Sequence, residues 1–307
     1  MRGELKAAED YLEEMETIKR IIILGDSGYI GGSLRKTLND KYPDTETFGF
    51  SFPEADLTNN HDARQLKEYV IPGTIIVMCS GLKKQYGDSL EIFEQNLKMV
   101  MNVCKNLLSN NVLRFVFVSS AEVYGEDLND LLITEETQVA PTSYYGMAKH
   151  TSELIIRKSL TDYPNTSYVI LRPALVFGPG EEGSFYGPSG FVKAAVRNEE
   201  IVLWGDGSEL REFVYIHDLI FVFISLIFDE YEGCVNVVNG SSLSFKSIVE
   251  AVEEKVNNLK VTSRPRTREK TDQGFDNSFL LELVPDFTPT PLDKCLIAVR
   301  DEEISRK

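Results

Sequence analysis

Apolar and polar residues follow one another along this chain in two rhythms. RIIILG at residues 20–25 is a continuous, β-branched run, the pattern of a strand buried on both faces. GTIIVMCS at 73–80, RFVFVSS at 114–120 and TSYVILRP at 166–173 repeat that pattern, and TETFGF at 45–50 is a shorter version. Between these runs, residues 34–38, 61–69, 90–108 and 145–160 carry apolar side chains at helical spacing. Strand and helix in regular alternation predict an α/β protein built on a doubly wound parallel sheet.

Beyond Pro173 the alternation loosens. FGPGEEGSFYGPSG at 177–190 clusters glycine and proline and reads as loop. Later pieces predict a helix at 190–198, a strand at IVLWG (201–205), and helices around 219–228 and 245–257. Residues 261–292 are polar, contain prolines and are nearly without period. At the other end, residues 4–17 have the spacing of a polar amphipathic helix placed before the domain proper. The expected organisation is an N-terminal helical extension (1–17), a nucleotide-binding domain (18–173), and a smaller part (174–307), mainly substrate-binding, with segments returning to the first domain. No internal repeat or low-complexity tract interrupts it.

Composition narrows the function. The 307 residues are 42% hydrophobic and 26% charged, as in an ordinary soluble protein, but the net charge is -16. Such a field repels duplex nucleic acid and anionic membranes, so neither is expected as a partner. An anionic ligand must be held by local groups such as helix N-termini and single arginines. The run IFVFISLIF at 220–228 is too short to span a bilayer. The acidic N-terminus lacks the basic-then-apolar order of a signal peptide, and a cytoplasmic location is expected. Cys79, Cys104, Cys234 and Cys295 are far apart in sequence and give no metal-ligand spacing; buried free thiols are the expectation.

Candidate chemistry begins at GDSGYIG, directly after the first strand. Gly25, Gly28 and Gly31 let the backbone turn tightly and approach a pyrophosphate, while the next helix offers its free N–H groups to that anion. A dinucleotide site usually has an acid at the end of strand two, to hold a ribose hydroxyl. Here that position is Ser51, and no arginine stands there either, so the choice between NAD and NADP is unmarked. Asp56 and Leu57 follow closely. They suit an adenine contact, and Asp56 equally suits a cap.

The stretch TSYYGMAKH at 142–150 holds the second candidate. Tyr145 and Lys149 are four apart and project from one helical face, whereas Tyr144 points elsewhere. A free tyrosine, with a pKa of about 10, is a poor base at neutral pH, and a nearby ammonium lowers that value. The alternative is a surface i,i+4 pair. Ser119 and Ser120 end a buried strand at the carboxyl edge, where such sheets bind ligands; a serine there can share a substrate proton or simply cap a turn.

Taken in order, GDSGYIG at 25–31, DLT at 56–58, SSAEVYG at 119–125, PTSYYGMAK at 141–149, LRPALVFGPG at 171–180 and WGDGSELREFVYIHDL at 204–219 resemble the extended short-chain dehydrogenase/reductase family of NAD-dependent sugar-nucleotide epimerases and dehydratases. The resemblance covers roughly residues 19–300. It implies a Rossmann fold with a smaller C-terminal substrate-binding part, NAD as cofactor with NADP the alternative, and a nucleoside-diphosphate sugar as substrate. It makes Tyr145 the acid/base, Lys149 its partner and a holder of the nicotinamide ribose, and Ser120 the assistant at the substrate hydroxyl. The implied cofactor contacts are Gly25, Ser27, Gly28, Tyr29, Ile30, Gly31, Ser51, Asp56, Leu57, Cys79, Ser80, Gly81, Lys83, Asn96, Ser119, Tyr145, Lys149 and Pro173. No metal is implied. Asn96 reads equally as a polar residue joining a helix to a loop. On the substrate side stand Ser120, Glu122, Tyr145 and Arg211; the arginine would pair with the diphosphate, or else form an ordinary ion pair.

Two departures bear on the reaction. Leu175 stands where the family usually has an asparagine. Ala121 breaks the Asp-Glu pair of the 4,6-dehydratases, which argues against dehydration. Glu122 matches a decarboxylase glutamate, and also suits a solvated acid or a substrate hydroxyl ligand. The expected activity is therefore epimerisation through a 4-keto intermediate; a net NADPH-dependent keto-sugar reductase comes second and a decarboxylase third. A non-catalytic nucleotide-binding protein has no need of a matched Ser120, Tyr145 and Lys149. The helices at 90–108 and 145–160 form a dimer interface in many family members, so a homodimer is expected.

Overall fold

The computed structural model describes residues 18–84, 87–182, 186–256 and 259–306. The helix expected at 4–17 lies outside the described residues, as do part of the glycine-rich loop (183–185) and the end of the helix expected at 245–257. The chain divides into two compact units.

The first unit draws on Met1–Gly125, Val139–Arg172 and Phe223–Val235. Its six-stranded sheet consists of β1 (Arg20–Leu24), β2 (Glu46–Phe50), β3 (Thr74–Met78), β4 (Val112–Val118), β5 (Ser167–Pro173) and β6 (Gly233–Val237), in the order β6-β5-β4-β3-β1-β2. The pairings from β2 through to β5 are parallel. The continuous apolar runs are the central strands: Ile21 to Leu24 and Ile75 to Met78 are essentially without solvent contact, as a strand covered on both faces requires.

Helices α1 (Tyr29–Lys41), α2 (Asn60–Gln65), α3 (Leu90–Leu107) and α4 (Tyr144–Leu160) connect the strands. The segment expected to be one helix at 61–69 divides, α2 giving way to a tighter 3-10 turn at Leu66–Tyr69. Met99, Val100, Val103 and Leu107 of α3 and Ile156 and Leu160 of α4 join Phe115 and Phe117 of β4 in one core. The strand order reverses between β1 and β3, since β2 lies on one side of β1 and all later strands on the other. At such a switch point the carboxyl ends of the strands leave a crevice suited to a ligand.

The second unit comprises Glu126–Gln138, Pro173–Val222 and Asn236–Lys307. It is built from short strand pairs, among them Glu200–Trp204 beside Lys260–Arg264 and Asp130–Ile133 beside Gln273–Phe275. Helices Pro188–Arg197, Phe245–Glu253 and Leu292–Ser305 complete it, around Phe191, Phe213 and Phe245 packed edge to face. The nearly aperiodic stretch thus contains two strands, plus a short helix at Ser278–Leu283. Its cations are individually matched: Arg264 lies 3.5 Å over the Trp204 ring, Arg266 pairs with Glu209, and Lys270 with Asp272 at 2.8 Å. Among the described residues, no helix is long and apolar enough to cross a membrane.

Candidate active site

The turn from β1 into α1 is made by Gly25, Gly28 and Gly31. Gly25 has φ +91°, a conformation that side chains strain, and its N–H donates to Phe50 O at 2.7 Å, tying the turn to the end of β2. Helix α1 then begins at Gly28, with no side-chain cap and no acid in its first turn. An uncapped helix start aimed out of a glycine turn is what a pyrophosphate requires. The residues present therefore fit a dinucleotide, with Ser27, Tyr29 and Ile30 lining the same turn.

Across the switch point, Cys79, Ser80 and Gly81 follow β3. Burial pushes the Cys79 thiol up to about 12, so it stays a thiol, and its backbone N–H donates to Leu24 O at 2.9 Å. All four cysteines are free. Gly81 leaves a gap in which a Cβ would lie 3.3 Å from Lys149 Nζ and 3.4 Å from Asn96 Oδ1. The Asn96 amide is spent on the chain: Oδ1 accepts from Leu82 N (2.8 Å), while Nδ2 donates to Leu82 O (3.1 Å) and Ile92 O (3.0 Å). These bonds match the reading of Asn96 as a joint between helix and loop. Lys83 lies with its ammonium 5.8 Å from the centre of the Tyr29 ring. Asp56 Oδ1 accepts from Thr58 N (2.9 Å) and Thr58 Oγ1 (2.7 Å), the bonds of a capped turn, and Leu57 is buried.

The catalytic candidates come together where β4 ends and α4 begins. Ser120 opens the 3-10 turn Ala121–Tyr124, its hydroxyl accepting from Glu122 N at 3.2 Å. Ser143 caps α4 by accepting from Gly146 N at 3.1 Å. This fixes the first helical turn, with Tyr144 half-exposed toward Phe93 and Tyr145 half-buried beside the Ser120 hydroxyl. Lys149 is buried one turn further, with its Nζ donating to Val118 O at 2.7 Å and lying 5.7 Å from the centre of the Tyr145 ring.

The electrostatics correct one expectation. The helical spacing predicts that Lys149 lowers the Tyr145 pKa. Instead Tyr145 is raised, first by burial and then by the Glu122 carboxylate, while the neighbouring Ser120 hydroxyl acts the other way. Lys149 itself falls to about 8, chiefly through burial, with Lys83 adding to the fall and Cys79 and Glu153 opposing it. The spacing in sequence is correct, but the lysine's ammonium is turned to a backbone carbonyl and desolvation outweighs its charge.

Ser119 faces away from the tyrosine. Its hydroxyl donates to Glu153 Oε1 at 2.5 Å, inside a buried group completed by Arg172 and Tyr124. Sequence reasoning missed Glu153 and Arg172, although Glu153 repeats the Tyr145 and Lys149 spacing by another four residues. Pro173 closes β5. In the second unit, Arg211 donates to Leu210 O (2.8 Å), Thr271 O (2.6 Å) and Thr271 Oγ1 (3.0 Å) and pairs with Glu209, as in the ion-pair alternative. Leu175 is 45% exposed.

Comparison with known proteins identifies the family and the fold. The family model described as the NAD dependent epimerase/dehydratase family matches residues 21–237. An N-acetyl-alpha-D-glucosaminyl-diphospho-ditrans,octacis-undecaprenol 4-epimerase from Escherichia coli O157:H7 is 24% identical over 247 residues, covering 77% of this chain and 72% of the relative. A trifunctional UDP-glucose 4,6-dehydratase/UDP-4-keto-6-deoxy-D-glucose 3,5-epimerase/UDP-4-keto-L-rhamnose-reductase of Arabidopsis thaliana is 24% identical over 233 residues; the match takes in 66% of this chain but spans only 34% of that relative. The crystal structure of a UDP-glucose 4-epimerase from Thermus thermophilus in complex with NAD has a TM-score of 0.80 at 20% identity, over 94% of this chain and 100% of that one. That likeness speaks for the fold.

Proposed function

Since the chain belongs to the NAD-dependent epimerase/dehydratase family, we propose that it is an epimerase of a nucleoside-diphosphate sugar, working through a 4-keto intermediate. The observation that carries this reading is the placing of the Tyr145 phenol beside the Ser120 hydroxyl, with Lys149 one turn further along the same helix. NAD, when bound, supplies the hydride acceptor and donor. Tyr145 takes the proton of the sugar hydroxyl as the carbon–hydrogen bond is given up, and returns it once the keto sugar has presented its other face. Ser120 holds the oxygen on which that proton resides. Lys149, one turn further, would hold the nicotinamide ribose. The absence of an acid at Ala121 speaks against dehydration.

A second reading rests on the raised Tyr145 pKa. A tyrosine held protonated is a ready donor, which suits net reduction of a keto sugar. Assaying the nucleotide released from denatured protein separates the two. NAD retained through purification, followed by C4 epimerisation of a UDP-, GDP-, CDP- or dTDP-sugar, supports the epimerase. An empty protein that consumes NADPH with a keto-sugar nucleotide would replace it with the reductase.

The proposal includes a cytoplasmic homodimer. Leu90 and Met101 on α3 and Met147 and Leu154 on α4 are exposed apolar residues on two helices that pack together. A monomer at micromolar concentration in sedimentation velocity would contradict the dimer.

A further inference from the structure

We propose that Asp26, from the glycine turn, takes over the task of the missing strand-two acid: its carboxylate accepts the 2′-hydroxyl of the adenosine ribose and selects NAD over NADP. In sequence Asp26 lies 25 residues before Ser51, and nothing in its spacing suggests the role. In the fold it reaches the end of β2. Ser51 Oγ donates to Asp26 Oδ1 at 2.7 Å and accepts from Ser27 N at 2.8 Å, so its single proton is already committed to the carboxylate. Arg35, two turns into α1, pairs with Asp26 Oδ2 from the other side. The strand makes room for the pair, because a Cβ on Gly49 would run into both the Asp26 carboxylate and the Arg35 guanidinium. Turn, helix and strand are thus built around one carboxylate at the place where a ribose-binding acid is otherwise supplied by the strand itself.

Chemistry decides the preference. A carboxylate has about four acceptor positions, and the bonds described use two, leaving capacity for a neutral hydroxyl donor. A 2′-phosphate has no proton to give and carries charge of the same sign as Asp26 and as the chain's net -16. Ser51 cannot turn its hydroxyl proton to a phosphate without abandoning Asp26. Arg35 is the one group in the cluster suited to a phosphate, and Asp26 holds it.

The inference rests on the family's dinucleotide and not on the sugar reaction. It is tested by titrating nucleotide-stripped protein with NADH and with NADPH, followed by nucleotide fluorescence. NADH should bind more tightly to the wild type. Asp26→Asn should weaken NADH by about tenfold or more, the loss expected for one hydrogen bond to a charged group. It should also tighten NADPH, because Arg35 is released. Gly49→Ala keeps the acid but displaces it, and should move the NADH/NADPH ratio in the same direction. Tighter NADPH binding by the wild type, or an unchanged ratio in variants that retain the wild-type circular dichroism, overturns the proposal; if Asp26→Asn does not fold, the wild-type ratio and Gly49→Ala decide it. Strong NADH preference without any sugar turnover would leave this inference standing and remove the epimerase.

Discussion

Arg172, near the end of β5, holds Glu153 of α4 through two hydrogen bonds of 3.0 and 2.6 Å, in a place where both side chains are shut away from water. The same guanidinium donates to Tyr124 OH at 2.9 Å, and Ser119 closes on the Glu153 carboxylate. Glu153 stands one turn beyond Lys149 and two beyond Tyr145. The pair therefore fixes the rotation of α4 that turns both residues inward. Arg172→Met leaves the buried Glu153 with Ser119 and the more distant Arg157 and His150 alone, and should cost about 3 kcal/mol in urea unfolding. Adding Glu153→Leu should recover much of that loss, since a buried carboxylate that has lost its bidentate partner is the main source of the cost.

Tyr145→Phe keeps the ring and removes the proton carrier. The expected loss in kcat/KM is about 10²- to 10⁴-fold, with nucleotide titration and thermal midpoint close to wild type. A variant that turned over normally would exclude Tyr145 as the acid/base.

Glu122 acts on Tyr145 through its negative charge and pushes the phenol up. Glu122→Gln removes that charge, so the tyrosine pKa should fall. Where the phenolate is the active form, the rising limb of the rate against pH then moves to lower pH. An unmoved limb would mean that the group titrating in the profile is not Tyr145.

Lys149 has a linkage of definite sign. Its folded value lies near 8, below its ordinary 10.5, so between those values the unfolded chain binds more protons. The Lys149 contribution to stability therefore rises with pH across that window, by at most about 3 kcal/mol. Lys149→Met removes the term. The difference in unfolding free energy, wild type minus variant, should increase from pH 8 to pH 10, as chemical denaturation at each pH would measure.

The amino-acid sequence determined five of the sheet's six strands, all but Gly233–Val237, and the helices facing them, because a strand buried on both faces has to be a continuous apolar run and a helix must repeat its apolar positions near 3.6. It also determined which residues meet across one helical turn, so Tyr145 and Lys149 were legible as a pair, and Ser120 as a group at a strand's carboxyl end. What it left open were the interactions that join distant segments. The aperiodic stretch hid two strands, because Lys260–Arg264 is exposed along its whole length and Gln273–Phe275 is only three residues long, and neither leaves a hydrophobic pattern to read. The sign of the Tyr145 shift depended on burial and on where Glu122 and Lys149 direct their charges, which spacing does not encode. Asp26 reaching Ser51 over Gly49, and Arg172 reaching Glu153, were decided by tertiary structure alone, since only the packed sheet brings groups 19 to 25 residues apart within hydrogen-bond distance.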